Sequence, residues 1–323
     1  MSLRSGLKLA AVALAASTLF AACSSAAPAT STSGTASAPA AGMKKIGVTF
    51  PILDQFLQKV ADGITAEAKA KGAEVNIVAA DEQTDKQLGQ VENFISQKVD
   101  AIIVIAVDTD AAGPMTQAAE TAGIPLVYVN RRPADLPATV PYVGSDSLVS
   151  GTLEMTELAK LAGGKGNVVI LQGDPANEAA QLRTKGCKDV VAANPGMKVI
   201  KEQAGNWKRT EGLDIMENWL QSGDQIDVVC ANNDEMALGA IEAIKKAGKL
   251  DSIFVGGVDA TADALASMKA GELEVTVFQD AKGQGAGGVD AALKLAAKET
   301  VPAYVDVPYV LVTKDNLAEF EGK

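Results

Sequence analysis

Polar side chains with hydrogen-bonding forks or carboxylates stand wherever an apolar run of this sequence ends. Lys45–Phe50 (KIGVTF) leads to Asp54 and Phe56, and Pro125–Asn130 (PLVYVN) leads into Asn130-Arg131-Arg132. The run ending VVCA continues as Asn232-Asn233-Asp234, FVGG runs to Asp259, and EVTVF ends in Gln279-Asp280. Trp207 sits in a polar Gly-Asn-Trp-Lys-Arg segment. Carboxamides, carboxylates and an arginine fork together can read a ring bearing many hydroxyls, because each hydroxyl both donates and accepts. The apolar C–H faces of such a ring lie flat on Phe or Trp. Phosphate recognition would call instead for Lys or glycine-rich nests.

Other chemistries are excluded by what is missing. The chain has no histidine, which removes the commonest general base and the commonest metal ligand together. Its three cysteines, Cys23, Cys187 and Cys230, are far apart and have no His partner, so neither a zinc site nor a Cys-His nucleophile is assembled. Cys187 and Cys230 are expected to be small buried apolar residues rather than a disulfide pair, the alternative being that they pair after export. With 29 basic and 40 acidic residues the net charge is −11, and no basic stripe is visible, which argues against nucleic acid. No catalytic residue, metal or cofactor is expected.

The elements that position these residues follow from periodicity. Hydrophobic residues make up 47% and aromatics 4%, so the core is built from Ala, Val, Leu and Ile. Short β-branched runs such as Ala101–Ala106 (AIIVIA) alternate with helical patterns, among them 54–71, 85–97 and 111–122. Strands that are apolar throughout and spaced by helices predict a parallel sheet covered on both faces. The alternation restarts at Asn167–Leu171, with helices at 179–193, 209–220 and 234–247 and a last one at 288–297. The expected fold is therefore α/β, with two doubly wound parallel-sheet lobes. In such sheets ligands bind outside the carboxyl ends of the strands, where the polar residues recur.

Each residue also has a plainer role open to it. Asp234 can simply cap the helix that follows it, Phe56 can be core, and Trp219 is read as core. Arg131 is the better ligand candidate of the Arg131-Arg132 pair. The run Gly283-Gln284-Gly285-Ala286-Gly287-Gly288 satisfies a dinucleotide-binding pattern, with Asp306 at the spacing of a ribose-binding acid. Its place near the end of an exported chain argues against a nicotinamide cofactor, so these glycines are assigned to close helix packing or to a crossing between lobes.

The N-terminus sets the compartment. Arg4 and Lys8 precede an apolar run from Leu9 to Phe20, about a dozen residues, which is short of the roughly 20 needed to span a bilayer. Leu19-Phe20-Ala21-Ala22-Cys23 is similar to a bacterial lipoprotein cleavage site, with Phe20 where Leu is usual. Residues 1–23 are thus read as a signal peptide with Cys23 lipidated, the alternative being a plain signal cut in the Ala-rich stretch. Ser24 to Gly42 is almost wholly Ser, Thr, Ala, Pro and Gly, a flexible tether with no core-forming capacity. The expected location is the periplasm or the outer face of the cell membrane, held by a lipid anchor.

These motifs resemble the ribose/galactose-type periplasmic binding proteins of bacterial sugar ABC importers. The resemblance runs from Lys44 to about Asp315. Its most specific piece is Asn232-Asn233-Asp234-Glu235-Met236-Ala237-Leu238-Gly239-Ala240, supported by Leu171-Gln172-Gly173, Asp62-Gly63 and Val258-Asp259. It implies two lobes joined by a three-segment hinge that closes on a sugar in the cleft between them. The crossings would lie near Ser145, Gln279 and Pro308, giving lobes of 44–145 with 280–307 and 146–279 with 308–323. By position it assigns ligand contacts to Asp54, Phe56, Asn130, Arg131, Gln181, Trp207, Asn233, Asp259 and Gln279, with Phe56 and Trp207 as stacking walls. Asp54 stands where the ribose proteins have Asn, and Asn130 where they have Asp. Gln181 replaces a ligand arginine, and Arg183 matches a neighbouring arginine read as structural. These departures argue against ribose, and Tyr128–Pro133 (YVNRRP) looks more like the inositol and rhizopine binders.

The implied partners are a small polyol, either monosaccharide or cyclitol, and an ABC permease, with the protein acting as a monomer. A sensory module for chemotaxis or signalling would use the same lobes, and a sugar-active enzyme is the more distant alternative. A repressor would need an N-terminal helix-turn-helix where this chain has its export signal.

Overall fold

The computed structural model describes residues 43–323, so the signal segment, Cys23 and the tether at 24–42 lie outside the described residues. The first sheet begins with β1 (Lys45–Phe50), followed by α1 (Gln55–Ala70), β2 (Glu74–Ala79), α2 (Thr84–Ser96), β3 (Ala101–Val104), α3 (Gly113–Ala122), β4 (Leu126–Val129) and β5 (Tyr142–Gly144). The chain then runs through α4 (Ser147–Leu161), β6 (Lys165–Gln172), α5 (Glu178–Ala193), β7 (Gly196–Ala204), α6 (Arg209–Gln221), β8 (Val228–Ala231) and α7 (Asp234–Lys246). It ends with β9 (Phe254–Gly256), α8 (Ala262–Ala270), β10 (Thr276–Phe278), α9 (Ala281–Ala296), β11 (Tyr304–Asp306) and β12 (Val310–Val312).

Two parallel sheets result, in agreement with the α/β expectation. One has the order β11-β5-β4-β3-β1-β2, and the other β7-β6-β8-β9, beside which β10 and β12 form an antiparallel pair. Both sheets reverse direction of winding next to their first strand, at β1–β3 and at β6–β8, which is where open α/β sheets form a binding crevice. Every residue of β3 and β4 is buried, as strands covered by helices on both faces must be. The chain passes between the sheets three times: from β5 into α4, from β10 into α9, and from β11 into β12.

Three elements escape sequence reading, each for a visible reason. β5 and β11 have three residues apiece, too few to show a period. The buried stripe of α4 recurs at helical spacing, but Ser147, Ser150, Gly151 and Glu154 are four of its seven residues. Its hydrophobic pattern is therefore silent.

The glycine run is corrected in location. α9 starts at Ala281 rather than near 288, so Gly283–Gly288 lies inside a helix. A Cβ on Gly285 would collide with the backbone carbonyl of Val60, so the glycine lets α9 approach α1 backbone to backbone. That is the packing role, and it leaves no phosphate-binding turn there.

Cys187 and Cys230 also depart from expectation. They are fully buried, as anticipated, but joined by a disulfide that ties α5 to β8 across 43 residues of sequence. Chain spacing gave no hint of this, because the two become neighbours only when α5 packs on the second sheet.

Candidate functional site

A cavity lies between the carboxyl ends of the two sheets, with about 400 Å3 of atom-free space that includes its opening to solvent. Asp54, Phe56, Asn130, Arg131, Trp207, Asn233, Asp259 and Gln279 line it, and so do Leu57, Asn177, Ala179 and Arg183. Gln181 does not. Its side chain is exposed and donates to the Pro175 carbonyl at 2.9 Å, so the contact expected of it is corrected. α5 turns by about 100° per residue, which sends position 181 to solvent and position 183 inward.

Each lining residue is placed by the end of an element. Asp54 caps α1, accepting from the Leu57 amide at 2.7 Å. Asn233 caps α7 in the same way, accepting from the Met236 amide at 3.0 Å, and its own amide donates to the Trp207 carbonyl at 3.2 Å. The capping role and a ligand-facing role are thus compatible, since a cap uses only one of the side chain's hydrogen-bonding positions. Asn130, Trp207 and Asp259 all hold positive φ, at 66°, 67° and 124°. Strained backbone outside glycine gathers at functional sites, where the surrounding structure must over-determine it.

The second-sheet wall is built around Arg183, whose side chain is 4% exposed. Its guanidinium donates to the Asn232 carbonyl at 2.6 Å, to Gln279 Oε1 at 2.9 Å and to Tyr309 Oη at 3.0 Å. Asp259 Oδ1 lies 3.8 Å away. The Arg183 Cζ is 5.5 Å from the centre of the Trp207 ring, a cation–π distance. Trp207 Nε1 donates to Asn177 Oδ1 at 3.3 Å, and a Cβ on Gly173 would overlap the indole. Gly173 ends the Leu171-Gln172-Gly173 segment singled out in the sequence, and its missing side chain is what makes room for the ring.

The first-sheet wall is simpler. Arg131 donates to the Ala106 and Val107 carbonyls at 3.0 and 3.2 Å, and Asn130 donates to Gln284 Oε1 at 3.0 Å. Phe56 and Trp207 are the half-buried aromatics of the cavity.

Burial dominates the electrostatics. It raises the Asp54 carboxyl above its ordinary range, against the opposing pull of the Leu57 amide and Arg131. It raises Asp259 well above the carboxylate range, with Arg183 pulling the other way. Burial lowers Arg131, and Asp54 beside it pushes back. Two acids and two guanidiniums thus face one cavity, a balanced set suited to an uncharged, hydroxyl-rich guest.

The walls touch one another beyond the cavity. The Thr109 amide and hydroxyl both donate to the Ala176 carbonyl, at 3.1 and 2.9 Å. Asn177 Nδ2 donates to the Val107 carbonyl at 3.1 Å, and Lys208 pairs with Glu82 at 3.1 Å. The loops after β3 and β2 therefore meet those before α5 and α6.

Arg183, Asn177, Ala179 and Leu57 line the cavity and were missed by the sequence reading; Leu57 looks like any core position of α1. Arg183 was weighed and set aside as structural, while Asn177 and Ala179 precede or open α5, a helix whose start no strong cap marks.

Known proteins are similar to this chain in sequence and fold. A family model described as a periplasmic binding protein domain matches residues 46–300. A putative rhizopine-binding protein of Rhizobium meliloti is 49% identical, over 88% of this chain and 94% of its own. The ribose import binding protein of Bacillus subtilis is 34% identical, over 83% and 87%. Among solved structures, an ABC transporter solute-binding protein from Bacillus halodurans with bound myo-inositol superimposes with a TM-score of 0.84 at 45% identity, over 87% of this chain and 98% of that one. From residue 46 to residue 300 at least, the chain belongs to the periplasmic binding protein family.

Proposed function

We propose that this protein captures an uncharged cyclitol or closely related polyol between its two lobes and delivers it to the permease of an ABC importer. The observation that carries the reading is the cavity itself: two carboxylates, two guanidiniums, four carboxamides and two aromatic faces converge between two sheets. Similarity to a rhizopine binder at 49% and to a myo-inositol complex at 45%, against 34% for a ribose protein, favours a cyclitol over ribose. Asp54 and Asn130 reverse the acid and amide found in ribose proteins at those places, which redistributes donors and acceptors around the ring.

In this reading Trp207 and Phe56 take the ring faces, while Asp259, Asn233, Arg131, Asp54, Asn130 and Gln279 take the hydroxyls. Arg183 joins them as a donor that also fixes Gln279 and Asp259. The segments 44–145 with 280–307 form one lobe, and 146–279 with 308–323 the other. The three connections between sheets act as the hinge. The contacts of Thr109 with Ala176 and of Lys208 with Glu82 latch the closed form, and opening requires only that these few bonds exchange for water. Ligand bridging both walls shifts that equilibrium by its differential affinity for the closed state.

The energetics are sufficient. A cyclitol has about a dozen heavy atoms at a ceiling of about −1.5 kcal/mol each, and micromolar binding needs only about −8 kcal/mol. Two ring contacts at about 0.5–1.5 kcal/mol and several charged hydrogen bonds at about 1.5–3 kcal/mol supply it. Residues 1–23 act as the export signal, with lipid on Cys23 and residues 24–43 as a leash. No helix among the described residues is long and apolar enough to cross a membrane.

A thermal-shift screen against pentoses, hexoses and cyclitols tests the reading, because a ligand that binds the native state must raise the melting temperature. A cyclitol should give the largest shift. A shift confined to ribose would replace the cyclitol assignment, and none with any polyol would remove the function.

A further inference from the structure

Asp234 is fully buried at the start of α7 and lines no cavity, yet all of its polar contacts lead to the loop that carries Asp259. One carboxylate oxygen accepts from the Thr261 amide at 2.8 Å, and the other from Thr276 Oγ1 at 2.7 Å. The same hydroxyl accepts from the Ala260 amide at 3.2 Å. The Asp234 amide donates to the Val258 carbonyl at 2.8 Å. Three of the four successive residues Val258 to Thr261 are thus held from Asp234 by their backbone, directly or through one hydroxyl.

That loop needs holding. Asp259 and Ala260 have φ of 124° and 52°, conformations that L residues rarely adopt. Gly257, at its start, has no side chain, and a Cβ there would stand 2.5 Å from Asp234 Oδ1. The backbone has therefore been drawn onto the carboxylate as closely as it can come.

We propose that Asp234 is the positioning residue for Asp259: it clamps the strained loop that presents Asp259 to the cavity. The proposal rests on Asp259 facing the ligand. Asp234 is raised to about 7, first by burial, with Thr276 and Thr261 opposing; Asp259 is raised by burial and then, after Arg183 has pulled it down, by Asp234. The other charges acting on the two acids are Arg183 from α5, Glu235 from α7, Asp54 and Lys59 from α1, and Glu154 from α4. Arg183 is the one cation among the described residues in contact with either acid, at 3.8 Å from Asp259.

Two substitutions separate the clamp from the charge. D234N keeps an oxygen for the Thr261 amide and a polar partner for Thr276 but carries no charge, whereas D234A removes both. Amide exchange of the full chain is the primary readout. Exchange at Thr261 should accelerate at least tenfold in D234A and stay near wild type in D234N. Unchanged Thr261 exchange in D234A would overturn the clamp. Should D234A fail to fold, T276V, which removes the hydroxyl linking Asp234 to the Ala260 amide, takes its place, and unchanged Ala260 exchange there would overturn the clamp. With myo-inositol as probe, D234A should bind at least tenfold more weakly, while D234N should bind nearly as wild type with a flatter pH profile. Wild-type protein that ignores myo-inositol would count against the proposed function alone, because the exchange needs no ligand.

Discussion

The two walls of the cavity are built differently. On the first-sheet wall, Asp54, Asn130 and Arg131 are each anchored to their own surroundings: a helix amide, the Gln284 side chain and two loop carbonyls. On the second-sheet wall the site residues are anchored to one another. Arg183 bonds Gln279, stacks near Trp207 and faces Asp259, while Asn233 bonds the Trp207 backbone and Trp207 bonds Asn177. A disulfide from α5 to β8 ties the helix that carries Arg183 to the strand that leads into Asn233. Losing one member of the first wall removes one contact, whereas losing one member of the second disturbs several. The second wall is a pre-organised template against which the first closes.

Arg183→Ala should have the largest effect. It strands the Asn232 carbonyl, Gln279 and Tyr309, and leaves Asp259 without its cation. Removing one partner of a buried charged cluster costs about 3–5 kcal/mol, visible in chemical denaturation without ligand. The equivalent change on the other wall, Arg131→Ala, should weaken polyol binding with a much smaller loss of stability. Equal stability losses would erase the distinction between the walls.

Replacing both cysteines, C187S with C230S, should cost about 2–4 kcal/mol and lower ligand affinity as well, because the register of α5 on β8 loosens. A reducing agent should reproduce the stability loss in the wild type and have no effect on the double variant.

Trp207→Ala should weaken binding by about 2 kcal/mol or more, as truncation of a central aromatic anchor does, and Phe56→Ala by about half as much or less. Calorimetry on the two variants ranks the walls directly. A larger loss from Phe56 would reverse the template assignment.

Glu154 gives a smaller, pH-dependent test of the same wall. It is fully buried, with one oxygen accepting from the Ala231 amide at 2.9 Å and the other unpaired, and burial raises its pKa well above the usual range. A carboxyl raised on folding favours the folded state fully below its unfolded value near 4.5, and that advantage is lost as pH rises towards the folded value. Glu154→Gln keeps the acceptor and abolishes the titration. The variant should therefore lose less stability than wild type between pH 5 and pH 8, on the order of 1 kcal/mol, measured by urea denaturation. The smallest effect belongs to Gln181→Ala, expected to change polyol affinity by less than about twofold, since that side chain faces solvent.

Much of this was legible in the sequence because parallel α/β folds write their sheets as uninterrupted apolar runs. β3 and β4, AIIV and LVYV, could be read directly, and the residue just past each strand end was the right place to look. What could not be read depends on neighbours distant in sequence. Asp54 and Trp207 announce themselves by type and place, but nothing local distinguishes Gln181 from Arg183; the rotation of α5 against the sheet decides between them. The disulfide is hidden for the same reason. α4 is invisible because its buried face is partly Ser, Gly and Glu, chosen for backbone contact and for the amide of Ala231 rather than for hydrophobicity.

The central claim is that a hydroxyl-rich ring sits between these walls with Asp259 among its partners. Isothermal titration of the purified protein with myo-inositol, run beside Asp259→Ala, tests it most directly. The account predicts a single site at micromolar affinity or tighter, about −8 kcal/mol or more, and loss of measurable heat in the variant. Undiminished binding by Asp259→Ala, or no heat from myo-inositol and from every other polyol tried, would contradict it.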